Sequence, residues 1–245
     1  VLAVGGAQAI AALACGADPV PPCDVVVGPG NRFVTAAKQL VAGFVAIDML
    51  AGPSELVILA DGSADPATLA ADLLAQAEHD PDAFPALVTP DAALVEAVEA
   101  QLATQLLDLP TADTARAALK HGLAVVAADL AEAARVCNLL APEHLEVQVT
   151  DPKRVMPLLE AYGGLFIGRG AAEVFGDYGI GPNHVLPTGG GARFTGGLSV
   201  LNFLRVRTWL RCDGHADPTV VEDTAALARL EGLEAHARAA LLRRK

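Results

Sequence analysis

Between Asp65 and His79 two residues break an apolar helical pattern in a way that could do chemistry. Leu69 and Leu73 stand four residues apart and define an apolar stripe, and Gln76 falls three residues further along it. A polar amide on a buried face costs about 1–3 kcal/mol unless something bonds it. His79 follows three residues later and should neighbour Gln76 on the helix surface. An amide oxygen and an imidazole one turn apart can grip one metal ion or one substrate. A histidine capping the last carbonyls before Asp80-Pro81 would show the same spacing. Glu143-His144, in LLAPEHLEV, is a second pair, where Pro142 turns the chain from a helix into a strand. Adjacent acid and base groups suit two proton transfers on one substrate, and a solvated loop pair is the plainer alternative. The stretch GDYGIGPNHVLPTGGGARF gathers Asp177, His184 and Arg193 among glycines, which let backbone pass close to a ligand. A mobile surface loop is its plainer reading, although a long ordered loop is more often functional.

Other signals are weaker. Val27-Gly28-Pro29-Gly30-Asn31 precedes a helical pattern and offers backbone amides to an anion, but it is neither a GxGxxG nor a Walker loop. Ser54, in AGPSE, is not in a GxSxG elbow, which disfavours a serine hydrolase. The absence of HExxH counts against a zincin protease. Glu231 and His236 lie in EGLEAHARAALLRRK, more than a turn apart, where such residues usually face solvent. His121 and His215 suggest no role. Cys15, Cys23, Cys137 and Cys212 form no CxxC pair, which fits a reducing cytoplasm better than a disulfide scaffold or thiolate metal site.

The elements that must position these residues alternate. A helical pattern, 7–15, precedes a short strand at 25–27, the glycine turn and a helix at 32–41. Strands are expected at 56–59, 86–88, 123–127, 145–149 and 165–167. Between them come helices at 66–79, 92–107, 114–121, 130–139 and 152–161. Asp65-Pro66 is a cap with Pro at the first helical position. Two helical patterns, 219–229 and 230–244, close the chain. The alternation predicts an α/β fold with Rossmann-like, mostly parallel sheets: two α/β domains, both incomplete, and a small helical C-terminal tail. Boundaries are expected near 53 and 205, giving 1–53, 54–205 and 206–245. The first unit opens with a helix where a strand normally stands, so the chain is expected to start inside a domain.

Composition excludes some partners. The net charge of -12 opposes nucleic acid, because phosphate binding needs a basic surface. With 53% hydrophobic and 19% charged residues, overall disorder is excluded. No stretch reaches the roughly 20 uninterrupted apolar residues of a membrane helix. VLAVGGAQAIAALACG lacks the basic start of a secretory signal.

Taken together, VGGAQAIAALA, VGPGN, AIDMLAGPSE, DLLAQAEHDPDA, NLLAPEHLE, GDYGIGPNHVLPTGGGARF and EGLEAHA resemble the histidinol dehydrogenase family, in this order and over essentially the whole chain. The resemblance implies a zinc- and NAD-dependent enzyme of histidine biosynthesis. It would oxidise L-histidinol through L-histidinal to L-histidine with two NAD⁺ in sequence. By motif match it implies Gln76, His79, Asp177 and His236 as ligands of one zinc per site, and Glu143 and His144 as the acid–base pair. Ser54, His184 and Glu231 would contact substrate, as would the zinc ligands and His144. Gln8 and Asn31 would contact NAD. It also implies a cytoplasmic homodimer in which the C-terminal tail completes the partner's site, so Glu231 and His236 would act in trans. The family's chains extend ahead of Val1, and the missing front part is expected to leave the piece poorly folded with weak NAD affinity. Two alternatives belong to other classes: a truncated, non-catalytic pseudo-subunit keeping zinc binding and dimerisation, and a zinc hydrolase using Glu143 as base.

Overall fold

The structure, a computed structural model, describes residues 1–180 and 183–244. Gly181 and Pro182, within the glycine-rich motif, and Lys245, at the end of the expected tail, lie outside the described residues. The chain forms two compact units, Val1–Phe203 and Leu204–Lys245.

The first unit holds two parallel sheets. The smaller pairs β1 (Val25–Val26) with β2 (Ala46–Ile47), flanked by α1 (Gly6–Cys15) and α2 (Arg32–Val41). Ile10, Ala14, Val26 and Val45 form its core. The larger is a five-stranded sheet of β3 (Glu55–Ala60), β4 (Phe84–Thr89), β5 (Leu123–Val126), β6 (His144–Gln148) and β7 (Gly164–Ile167), in the order β5-β4-β3-β6-β7. Every pairing in it is parallel. β3 is apolar and buried from Leu56 to Ala60, as a central parallel strand covered on both faces must be. α3 (Pro66–Ala77) and α4 (Ala92–Gln105) cover one face through Leu69, Leu73, Leu94 and Val98. α6 (Leu130–Leu140), which follows the short α5 (Ala112–Ala118), covers the other through Ala133, Ala134 and Cys137. The α/β, mostly parallel architecture with a helical C-terminal end is the one the sequence predicts.

The structure departs from the expected boundaries where local chemistry decides. α3 stops at Ala77 with Glu78 as its C-cap, so His79 stands just beyond the helix rather than on its surface. Pro157 stops the helix expected over 152–161: α7 covers only Pro152–Val155 and tightens into a 3₁₀ turn, Met156–Leu158. β2 was not expected, being only two residues long. The glycine-rich stretch contains a short helix, α8 (Val174–Tyr178), and a 3₁₀ turn, Gly191–Arg193.

The second unit is a helical hairpin of α9 (Pro218–Leu230) and α10 (Glu234–Leu241). Asp217 caps α9 by accepting from the Thr219 and Val220 N–H groups. Ala225, Ala228 and Ala237 form the small core between the two helices.

Candidate active site

The site is built where β6 begins. α6 ends at Ala141, held in a left-handed conformation (φ 49°) that few non-glycine residues adopt. Pro142 follows, and the chain enters the sheet at His144. This places Glu143 and His144 at the end of an internal strand, both only 7% exposed. They are therefore a buried pair and not a solvated one. Gly163 packs against them so closely that a Cβ there would lie 2.5 Å from the Glu143 carbonyl oxygen.

Backbone and side-chain bonds lock the pair to β3. The Glu55 N–H donates to Glu143 Oε2 at 3.0 Å, and the Glu143 N–H donates to Glu55 Oε2 at 3.2 Å. The Gly189 N–H donates to Glu55 Oε1 at 2.8 Å, tying the glycine-rich stretch to the same point. His144 Nδ1 lies 2.9 Å from the Glu55 carbonyl oxygen. A carbonyl only accepts, so Nδ1 carries the proton and Nε2 is the free base. Nε2 faces Glu173 Oε1 at 3.8 Å. Burial holds the His144 imidazole below its usual pKa, against the opposing bond to Glu55. Burial also pushes Glu143 up to about 8, helped by the neighbouring carboxylates of Glu55, Glu173 and Asp177. Glu173 is raised to about 7, again mainly by burial.

A cluster able to hold a metal ion adjoins the pair. One donor atom each from His79, Glu173 and Asp177 lies within 4.8 Å of the others. His184 Nδ1 lies 2.8 Å from Asp177 Oδ1. Gln76 is fully buried, and neither its amide oxygen nor its nitrogen has a partner; Glu173 Oε2 is likewise unpartnered. Buried polar atoms without partners are costly, and a bound cation or ligand would satisfy them. The donor set of one imidazole and two carboxylates suits a divalent ion with nitrogen and oxygen preference. The Phe166 ring lies 5.9 Å from the His144 ring. A cavity of about 480 Å³, lined in part by Phe166, Phe175, Ile180 and Leu186, gives room beside it.

The structure thus brings Glu143 and His144 together with His79, Asp177 and His184. Ser54 immediately precedes Glu55 at the start of β3. Gln8 lies exposed in the first turn of α1, and Asn31 caps α2, its Oδ1 accepting from Phe33 and Val34 N–H groups. Glu231 and His236 belong to the second unit, as the C-cap residue of α9 and on α10.

Sequence reasoning missed Glu55, Glu173, Asp72 and Glu146. Glu173 stands four residues before Asp177, the spacing that puts two carboxylates on one helical face. His144, Glu146 and Gln148 alternate with Leu145 and Val147 on a strand buried throughout, so one whole face of β6 is polar. Glu146 shares a side-chain hydrogen bond with Asp72 of α3, and burial pushes Glu146 up to about 8. Gln148 Nε2 donates to Glu146 Oε1 at 2.6 Å.

The profile of the histidinol dehydrogenase family matches residues 1–244. The chain belongs to the histidinol dehydrogenase family. It is 54% identical over 244 residues to the histidinol dehydrogenase of Thermus thermophilus, covering 100% of this chain and 59% of that relative. It is 52% identical over 237 residues to that of Geobacillus kaustophilus, covering 96% of this chain and 56% of the relative. The crystal structure of histidinol dehydrogenase from Elizabethkingia anophelis superposes with a TM-score of 0.89 at 37% identity, over 98% of this chain and 56% of that one. The chain thus spans less than two thirds of the length of these histidinol dehydrogenases.

Proposed function

We propose that the protein oxidises L-histidinol through L-histidinal to L-histidine, using one zinc ion per site and two NAD⁺ in sequence. The observation that carries this reading is the packing of the buried Glu143–His144 pair against the His79–Glu173–Asp177 donor cluster, in a chain of this family.

Bound zinc would supply a Lewis acid that orients the substrate, and NAD⁺ would supply the hydride acceptor for each oxidation. Gln76, His79 and Asp177, with His236 from the tail, are the assigned zinc ligands. Gln76 supports this by its unpartnered amide, and His79 and Asp177 by their proximity. Glu173 lies close enough to join or replace one of them. Ser54, His184 and Glu231 are assigned to substrate contacts. Gln8 and Asn31 are assigned to NAD: the Asn31 oxygen is occupied by its cap bonds, which leaves its amide nitrogen to offer.

His144 takes the alcohol proton at Nε2 in the first oxidation, its Nδ1–H fixed on the Glu55 carbonyl. Glu143 takes a proton from the water that attacks the aldehyde, once it has lost its own. His144, after releasing the first proton to solvent, then accepts the hydrate's proton in the second oxidation. A neutral, depressed imidazole suits a base that must accept twice. The carboxylates around the pair favour a cationic substrate amine.

In the test, L-histidinol and NAD⁺ are mixed with the protein while NADH is followed. Turnover that disappears on chelation and returns with zinc would support the reading. A folded, zinc-loaded protein without turnover would support the pseudo-subunit reading instead. Chelator-sensitive ester cleavage would support the hydrolase.

A further inference from the structure

Lys38 carries a charge yet is only 2% exposed, in the middle of the amphipathic α2. Its partner is Asp48, the residue that follows β2, and the Asp48 side chain is wholly buried too. Removing two charges from water is expensive, and an apolar pair of similar size would often serve stability as well or better. The pair therefore needs a reason other than stability.

Its bonds converge on one turn. Parallel pairing sets Val25 opposite Ala46 and Val26 opposite Ile47. Asp48 thus leaves β2 alongside the chain leaving β1. There the Gly28 N–H donates to Asp48 Oδ2 at 2.8 Å. Lys38 Nζ donates to the Gly28 carbonyl at 2.9 Å and also to Asp48 Oδ1. The Met49 N–H donates to the same Oδ1 at 2.7 Å. Gly28 is held through both of its backbone polar groups at φ +123°, a conformation that L side chains rarely adopt. Three residues on, Asn31 opens α2. This turn lies at the carboxyl end of β1, where α/β sheets bind their ligands.

We propose that the buried Lys38–Asp48 pair is a positioning device for the cofactor: it clamps Gly28 and so fixes the Gly28–Asn31 turn on which NAD⁺ rests. The inference builds on the assignment of NAD to this turn. Neither residue touches the cofactor in this account. Both act through the backbone of Gly28, so their loss should weaken cofactor binding while sparing histidinol binding.

The decisive variant is K38M/D48L, which removes both charges together and leaves no buried charge alone. It is expected to melt close to the wild type. Its dissociation constant for NADH, read by fluorescence, should rise about tenfold, the worth of one or two displaced hydrogen bonds. The KM for NAD⁺ should rise in parallel, with the KM for histidinol within twofold. Should that variant fail to fold, Gly28→Ala tests the same geometry, since no atom lies within 4 Å of its added Cβ and only φ is disturbed. It should show the same cofactor-selective loss. Asn31→Ala, run alongside, tests the underlying assignment. A raised NADH dissociation constant in Asn31→Ala with an unchanged one in the clamp variants overturns the clamp alone. Unchanged values in all variants, or no NADH binding by the wild type, overturn both. Equal losses in cofactor and histidinol binding would show a merely structural role and overturn the proposal.

Discussion

At the scale of the residue, the site depends on a few atoms held by backbone partners. His144 is informative because a backbone carbonyl decides its tautomer: with Nδ1 committed to Glu55, only Nε2 can act as base. Glu143 is held by the backbone of the neighbouring strand, and its own carbonyl is crowded by Gly163. Gly163→Ala must therefore push either the Glu143 backbone, 2.5 Å from the new Cβ, or Pro187 Cδ, 2.9 Å from it. We expect kcat to fall by about 10²-fold, the effect of displacing a catalytic group by roughly 1 Å, while the protein still folds. Steady-state kinetics with circular dichroism as a control check this, and an unchanged kcat would show that Glu143 need not be held where it is.

At the scale of the element, α3 and β6 share a polar interior that only two partners in register can satisfy. Asp72 of α3 shares a hydrogen bond with Glu146 of β6, and Asp72 Oδ2 and Glu146 Oε2 have no partner except through a shared proton. Burial raises both carboxyls, Glu146 to about 8. A raised carboxyl contributes stability that is complete below its unfolded pKa of about 4.3 and lost as pH climbs through its folded value. The metal-stripped protein should therefore lose stability between about pH 5 and pH 8. In Glu146→Gln that loss should be smaller, by roughly 5 °C in Tm over the same range. Calorimetry at both pH values tests this; parallel curves would mean that the pair does not hold a proton.

This element scale also shows what could be read from sequence. The alternation of helices and parallel strands was legible because apolar runs such as LVIL and the Asp-Pro cap at 65–66 are local signals. Gln76 and the Glu143–His144 pair were visible as polar groups out of pattern. Glu55, Asp72 and Glu146 were not, because each gains meaning only from a partner distant in sequence: Glu55 meets Glu143 across β3 and β6, and Asp72 meets Glu146 across helix and strand. The end of α3 at Ala77 was misjudged by two residues, and that shift moves His79 off the helix to the Glu173–Asp177 cluster.

At the scale of the whole molecule, Leu204, Val206, Trp209 and Leu210 are each at least two-thirds exposed, on the stretch leading to the tail helices. Exposed apolar groups in series mark surfaces that meet another chain, and among the described residues no helix is long and apolar enough to cross a membrane. The homodimer that the family resemblance implies, with Glu231 and His236 serving the partner's site, would cover them. Mixing His236→Ala with His144→Ala subunits should then restore about a quarter of wild-type activity, since half of the mixed dimers' sites carry neither lesion. Restoration would be absent if His236 served its own subunit. The central claim is that one site performs both oxidations, with Glu143 needed only to bring water to the aldehyde. The most direct test counts NADH per histidinol consumed in wild type and in Glu143→Gln. We expect two for the wild type. The variant should give one, with the aldehyde accumulating and the second oxidation slowed by about 10²–10⁴-fold. Two NADH at an undiminished rate from Glu143→Gln would contradict the account.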